Sequence, residues 1–155
     1  MKSLTSGAVA GLAGTMVMTG AMFLTKKVGM VPGKLEPKEI AENFEEKLGV
    51  RDYLPEPAFE ASWVMLHFGY GTLSGVAYTL ARKMTLDLKR LVPVGPLFGA
   101  LLWAFGYCVW LPVCHLYPPP TQVPKRKVTA NILTHVVYGT ATAVAHREFG
   151  INSES

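Results

Sequence analysis

Residues 67–77 read His67-Phe-Gly-Tyr70-Gly71-Thr72-Leu-Ser74-Gly75-Val76-Ala77, and residues 135–145 read His135-Val-Val-Tyr138-Gly139-Thr140-Ala-Thr142-Ala143-Val144-Ala145. Both fit H-x-x-Y-G-T-x-[ST]-[GA]-V-A without a gap. Each lies inside a run free of Asp, Glu, Lys and Arg. The first run is Ala61 to Ala81, between Glu60 and Arg82, and the second is Val128 to Ala145, between Lys127 and His146-Arg147-Glu148. A helix rises about 1.5 Å per residue and the hydrocarbon core of a bilayer is about 30 Å thick, so roughly 20 residues cross it. The first run meets that length. The second falls just short, a mismatch that local thinning of the bilayer absorbs.

Working outward, two more uncharged runs appear. Leu4 to Thr25 lies between Lys2 and Lys26-Lys27, and Leu91 to Gln122 has its most apolar part between Val94 and Leu116. Backbone in hydrocarbon has to satisfy its own hydrogen bonds, so all four runs are expected to be helices. The expectation is an all-α membrane protein, residues 1–155 forming a single integral membrane domain, with transmembrane helices over about 4–25, 61–81, 94–116 and 128–146. Composition agrees. Of 155 residues, 50% are apolar and 17% charged, with a mean hydropathy of +0.26. That balance excludes disorder and fits poorly with a water-soluble domain, where about 25% of residues are charged. Ala8-Val9-Ala10 after Lys2 superficially suggests a signal peptide, but the apolar run continues to Thr25, and Gly7, Gly11 and Gly14 suit a packed helix better.

The first and third runs echo each other more faintly, through Gly7-x-x-x-Gly11-Leu12 and Gly95-x-x-x-Gly99-Ala100. The chain therefore reads as a helical hairpin present twice, a four-helix bundle with a parallel internal repeat about an axis along the membrane normal. The shared residues of the second and fourth helices recur at offsets 0, 3, 4, 7 and 8 from the histidine, which is one face of a helix. Small residues there permit close backbone approach, and the hydroxyls and imidazoles can hydrogen-bond across helices. A polar stripe of Tyr70, Gly71, Thr72, Ser74, Tyr138, Gly139, Thr140 and Thr142 is expected to face the interior, with His67 and His135 at matching depth and Asn131 one turn before His135.

Between the spans, residues 26–60 contain Pro37 followed by Ile40, Phe44 and Leu48 at four-residue spacing and then Gly49. This predicts a short amphipathic helix over about 37–48. It is expected to lie on the headgroups, with a lid or partner-binding element as the alternative. Tyr117 to Lys127, with Pro118-Pro119-Pro120 and Pro124, reads as a stiff extended strap. Trp63, Trp110, Tyr53 and Tyr117 read as interfacial anchors and Trp103 as a packing residue. Basic residues number six on one side (Lys2, Arg82, Lys83, Lys89, Arg90, Arg147) and nine on the other, a weak preference that the dense 82–90 stretch opposes, so orientation stays open. The pI near 9.1 is explained by juxtamembrane Lys and Arg attracted to anionic headgroups, without nucleic acid. Cys108 and Cys114 lie six positions apart, about 9 Å along a helix, beyond disulfide reach.

The absence of an acid inside the four runs counts against proton- or cation-coupled transport. Gly71-Thr72-Leu73-Ser74-Gly75 is not a G-x-S-x-G elbow, so no catalytic residues are expected. His67 and His135 on facing helices have the axial-ligand pattern of a b-type haem, with Gly71 and Gly139 clearing space. The competing reading is that each imidazole donates to a neighbouring carbonyl, Tyr or Thr. A three-histidine metal site with His115 would have no acid beside it to orient the rings, so no metal is expected. The leading expectation is a non-enzymatic structural or accessory component of the plasma membrane, carrying no cofactor, with the lipid bilayer and a membrane-protein partner or second copy as its contacts. A haem- or quinone-binding electron-transfer subunit using His67 and His135 is the alternative, and a small pore or carrier lined by Tyr70, Thr72 and Ser74 a third.

The His67 helix, the Gly95-x-x-x-Gly99-Ala100 opening, Leu111-Pro112 followed by Pro118-Pro119, and the His135 helix ending in His146-Arg147-Glu148 resemble the YagU-like family of small bacterial inner-membrane proteins of uncharacterised function. The Val31-Pro32-Gly33 to Glu36-Pro37 turn before an acidic helix adds to the likeness. The resemblance covers most of the chain after residue 60. It implies a multi-pass bacterial inner-membrane location and cytoplasmic termini, and supplies no catalytic residues.

Overall fold

The structure, a computed structural model, describes residues 2–84 and 94–151. Lys89 and Arg90 of the basic connection and Leu91 at the start of the third run lie outside the described residues. Among the described residues the chain is all-helical, with no strand. The helices are α1 (Lys2–Lys27), α2 (Glu36–Lys47), α3 (Glu56–Met84), α4 (Val94–Phe105) and α6 (Lys125–Ile151). A π-helical turn, Gly106–Trp110, carries α4 into the single turn α5 (Leu111–Val113). One 3₁₀ turn (Arg51–Tyr53) precedes α3, and another (Pro120–Gln122) interrupts the strap that the prolines predicted to be fully extended.

Among the described residues two segments, Leu4–Lys27 and Val94–Val113, are long and apolar enough to cross a membrane. The sequence expectation was four, and the difference has a plain cause. The long helices α3 and α6 are uncharged through their middles, but His, Tyr, Trp, Gly, Ser and Thr make those middles far less apolar than α1 or α4. Helix α6 also starts at Lys125, three positions before the expected boundary, because Pro124 leads straight into its first turn.

The helices alternate in direction. α1 and α5 end, and α3 and α6 begin, at the end where α2 lies. In cross-section α1 packs along both α3 and α6, and α6 packs along α4, giving the row α3–α1–α6–α4. Glycines set the spacing at two of these crossings. A Cβ on Gly11 would lie 2.5 Å from the Gly71 carbonyl and 2.8 Å from the Gly75 Cα. One on Gly95 would lie 2.7 Å from the Gly139 carbonyl and 2.6 Å from the Ala143 Cβ. No side chain fits at such distances, so backbone meets backbone. At the third crossing Gly14 meets Thr142 and the ring of Tyr138.

The outer members of the row, α3 and α4, do not pack along each other among the described residues. They touch far from α2, where the Tyr78 and Phe98 rings meet edge-on at 5.2 Å and His146 lies 5.6 Å from Tyr78. Toward α2 the row gapes.

Helix α2 bridges that gap. Proline in its first turn, acids at its start and Lys47 at its end favour a helix, and Gly49 (φ +70°) ends it. Its polar side chains tie it down in three directions. Asn43 donates to the Leu116 carbonyl (2.8 Å), and Lys47 to the Cys114 carbonyl (2.7 Å). Lys38 pairs with Glu60, and Ser62 donates to Glu45, both on the first turns of α3. Lys127 of α6 pairs with Glu39 at 2.7 Å.

Candidate functional site

A cavity of about 260 Å³ lies where the row gapes, beneath α2. Pro37, Ile40, Ala41 and Phe44 roof it, so the amphipathic face of α2 is turned onto protein. Thr15 and Met18 of α1, Leu66, His67 and Tyr70 of α3, Gly106, Tyr107 and Trp110 of the π turn, and His135 and Tyr138 of α6 complete its walls. No charged side chain is among the lining residues.

The π turn follows from Pro112. Proline has no N–H to give to the preceding helix, and the ladder slips upstream, with the Leu111 N–H reaching the Gly106 carbonyl five residues back. The slip turns Gly106 and Tyr107 toward the cavity. A Cβ on Gly106 would meet nothing within 4 Å, so the helix presents a hollow there. π-Bulges of this kind are frequent at functional sites.

The hydrogen bonds of the two histidines define their tautomers. His135, 7% exposed, has Nδ1 at 2.8 Å from the Asn131 carbonyl. A carbonyl only accepts, so Nδ1 carries the proton, and Nε2 keeps a lone pair in the neutral ring. His67 Nε2 lies 3.1 Å from the Thr19 hydroxyl, which already donates to the Thr15 carbonyl at 2.7 Å. Thr19 therefore accepts, His67 Nε2 donates, and His67 Nδ1 keeps its lone pair. Neither lone pair has a hydrogen-bond partner among the described residues. The ring of Tyr107 stands edge-on to His135 at 5.5 Å.

The remaining stripe residues part company. Tyr138 is buried and donates to the Gly71 carbonyl at 2.6 Å. Gly71, Ser74, Gly139 and Thr142 are buried. Tyr70, the sequence counterpart of Tyr138, is 46% exposed at the cavity mouth. Thr72 and Thr140 donate to carbonyls of their own helix, Phe68 and Val136; Thr72 is half-buried, whereas Thr140 is exposed and lies outside an interior stripe.

His115 is exposed and lines no part of the cavity. It closes α5 in a left-handed conformation (φ 54°), with its N–H on the Pro112 carbonyl and that of Leu116 on Leu111. The turn sends Tyr117 inward, where it packs with Tyr107 at 5.5 Å and is buried, so it is no interfacial anchor. Tyr53 is exposed, Trp63 donates to Glu60, and Trp103 stacks on Tyr107 at 6.3 Å. Cys108 and Cys114 are free thiols. Among the described residues no three His, Cys, Asp or Glu side chains are arranged to hold a metal.

Behind Tyr107 lies a second, far smaller pocket of about 10 Å³, room for a single water. Glu36, Trp103, Tyr117, Lys127 and Asn131 line it. Burial raises the Glu36 carboxyl above its ordinary range, against the opposing effects of a backbone hydrogen bond and of Lys127. Burial also works against the charge on Lys127, but its bonds to Glu39 and Tyr117 together outweigh it and hold the ammonium above its usual range. Glu36 Oε1, Asn131 Oδ1 and Trp103 Nε1 have no partner among the described residues. Sequence reading missed Glu36, whose only signal was an acid just before Pro37 at the start of an amphipathic helix.

No curated protein and no solved structure matches the chain. Residues 44–144 match a family described as "Protein of unknown function (DUF1440)". The match runs from Phe44 in α2 to Val144 in α6, taking in both histidines, the π turn and the α4–α6 glycine crossing. With well over half of its length matched, the chain belongs to the DUF1440 family.

Proposed function

We propose that this protein is a non-enzymatic, four-span component of the bacterial plasma membrane, YagU-like in type, that binds a small lipophilic molecule in the cavity between His67 and His135. The observation that carries this reading is the cavity itself: uncharged, walled by aromatic and aliphatic side chains, with His67 and His135 in its lining. Ligand sites are mostly apolar hollows with a few placed polar groups.

Membrane insertion of all four long helices is supported by their outward faces. Leu73 and Leu80 on α3, and Leu133 and Val144 on α6, are exposed, as are Phe23 and Leu24 on α1 and Leu101 and Phe105 on α4. Exposed apolar rows on a packed helix assembly call for lipid. Duplication of a hairpin is supported by the crossings, since Gly11 meets Gly71 and Gly75 as Gly95 meets Gly139 and Ala143. On that reading Gly11 corresponds to Gly95 and Thr15 to Gly99, one helical turn later than the Gly7–Gly95 echo in the sequence.

Haem fits less well, because His67 Nε2 is engaged by Thr19 and about 260 Å³ holds one ring-sized group, not a porphyrin. A through-going pore is disfavoured by the Tyr78, Phe98 and His146 rings, which close the far end. The test is native mass spectrometry of detergent-purified protein. Wild type should retain a lipophilic molecule that Gly106→Phe, which fills the hollow, does not. A wild-type protein without cavity-dependent bound mass overturns the reading.

A further inference from the structure

We infer that the occupant is a lipid with a single aromatic-alcohol headgroup, of phenol or hydroquinone type, whose hydroxyl donates to His135 Nε2. This rests on the cavity reading above and adds the chemistry of the ligand. Both histidines turn their acceptor nitrogens, not their N–H groups, to spare, so a guest satisfies them only by donating. A quinone carbonyl or an ester cannot donate, and a hydroxyl can. The tyrosine at the back of the cavity is already committed, since Tyr138 gives its proton to Gly71.

Three further features narrow the choice. Among the described residues no cationic side chain lines the cavity, which counts against a phosphate headgroup, whose charge would be left unpaired. About 260 Å³ holds one ring-sized group and not a whole lipid. Tyr70, Tyr107, Trp110 and Tyr138 offer edges and faces to an aromatic ring. The tail has an exit, because α3 and α4 do not pack along each other, and Leu66, Tyr70 and Trp110 at the cavity wall are each partly exposed between them. Entry is therefore sideways from the bilayer.

The probes are 4-nonylphenol and its methyl ether, which differ in the donor and by one methyl group. Each is titrated calorimetrically into full-length protein in detergent, with Gly106→Phe protein in the same micelles as the blank. The phenol should bind about tenfold more tightly than the ether, the size of one hydrogen bond to a buried acceptor. His135→Phe should erase that preference, so that the phenol binds no more tightly than the ether. Equal binding of phenol and ether to wild type overturns the headgroup inference and leaves the cavity reading standing. Failure of both to bind above the blank overturns both. The wild-type comparison needs no variant at His135, so a misfolded His135→Phe protein does not blunt the test.

Discussion

The hydroxyl of Tyr138 on α6 donates to the backbone carbonyl of Gly71 on α3 at 2.6 Å, joining the two helices that carry the same eleven-residue pattern. Its counterpart Tyr70 makes no such bond to Gly139 and stands 46% exposed at the cavity mouth. Tyr138→Phe should therefore lower stability in detergent by about 1 kcal/mol, the net worth of a buried hydrogen bond. Tyr70→Phe, at a half-exposed ring, should change it by no more than about 0.5 kcal/mol. Thermal unfolding of the two variants side by side checks the asymmetry, and equal losses would contradict it.

Gly11 and Gly20 lie on one helix in opposite circumstances. A methyl group on Gly11 meets the Gly71 carbonyl and Gly75, whereas one on Gly20 meets nothing within 4 Å. Gly11→Ala should cost about 1–3 kcal/mol through forced separation of α1 and α3. Gly20→Ala should be neutral or gain up to about 1 kcal/mol from helix propensity. The same unfolding measurement decides.

Glu36 gives a pH prediction with a defined sign. Its folded pKa is raised by burial above the ordinary 4.5, so the folded state holds the proton more tightly than the unfolded one. The stability this contributes is complete below pH 4.5 and is lost as pH rises through the folded value. Glu36→Gln, which stays neutral, should melt higher than wild type at pH 7, with the gap closing as pH falls below 4.5. A gap that widens in acid would mean that the carboxylate is stabilised where it lies.

Spanning by four helices or by two places the connections differently. If α1, α3, α4 and α6 all cross, residues 34 and 122 share one side. If only α1 and α4 cross, they lie on opposite sides. Lys34→Cys and Gln122→Cys, each in a background with Cys108 and Cys114 replaced by serine, should react alike with an impermeant maleimide in spheroplasts. Opposite labelling would restrict the crossings to the two most apolar helices.

The boundaries of the long helices were largely legible, because charge and Pro–Gly punctuation act over a few residues. Lys26-Lys27 closes α1, Pro37 opens α2 and Gly49 ends it. For α3 and α6 the lack of charge is legible, but their His, Tyr, Gly, Ser and Thr leave them less apolar than α1 and α4. The exposure of Thr140, which the sequence pattern sets beside buried Tyr138 and Gly139, is not visible in the residue types. Tyr117 was placed at the interface because a left-handed turn at His115 is not visible in the residue types.

By itself the sequence determined an all-helical chain, glycines spaced for close crossings, and one eleven-residue pattern carried by two of its helices. All of these are properties of one helix at a time, carried by spacing and composition. Only the tertiary structure decided that α1 and α6 occupy the middle of the row, so that similar segments of α3 and α6 receive different neighbours. That placement buries Tyr138 and leaves Tyr70 at the mouth. The same arrangement, with α3 and α4 unpacked at one end and α2 laid across them, opens the cavity and shuts Glu36 away from water. Such outcomes depend on which surfaces meet across long sequence separations, and no local pattern encodes them.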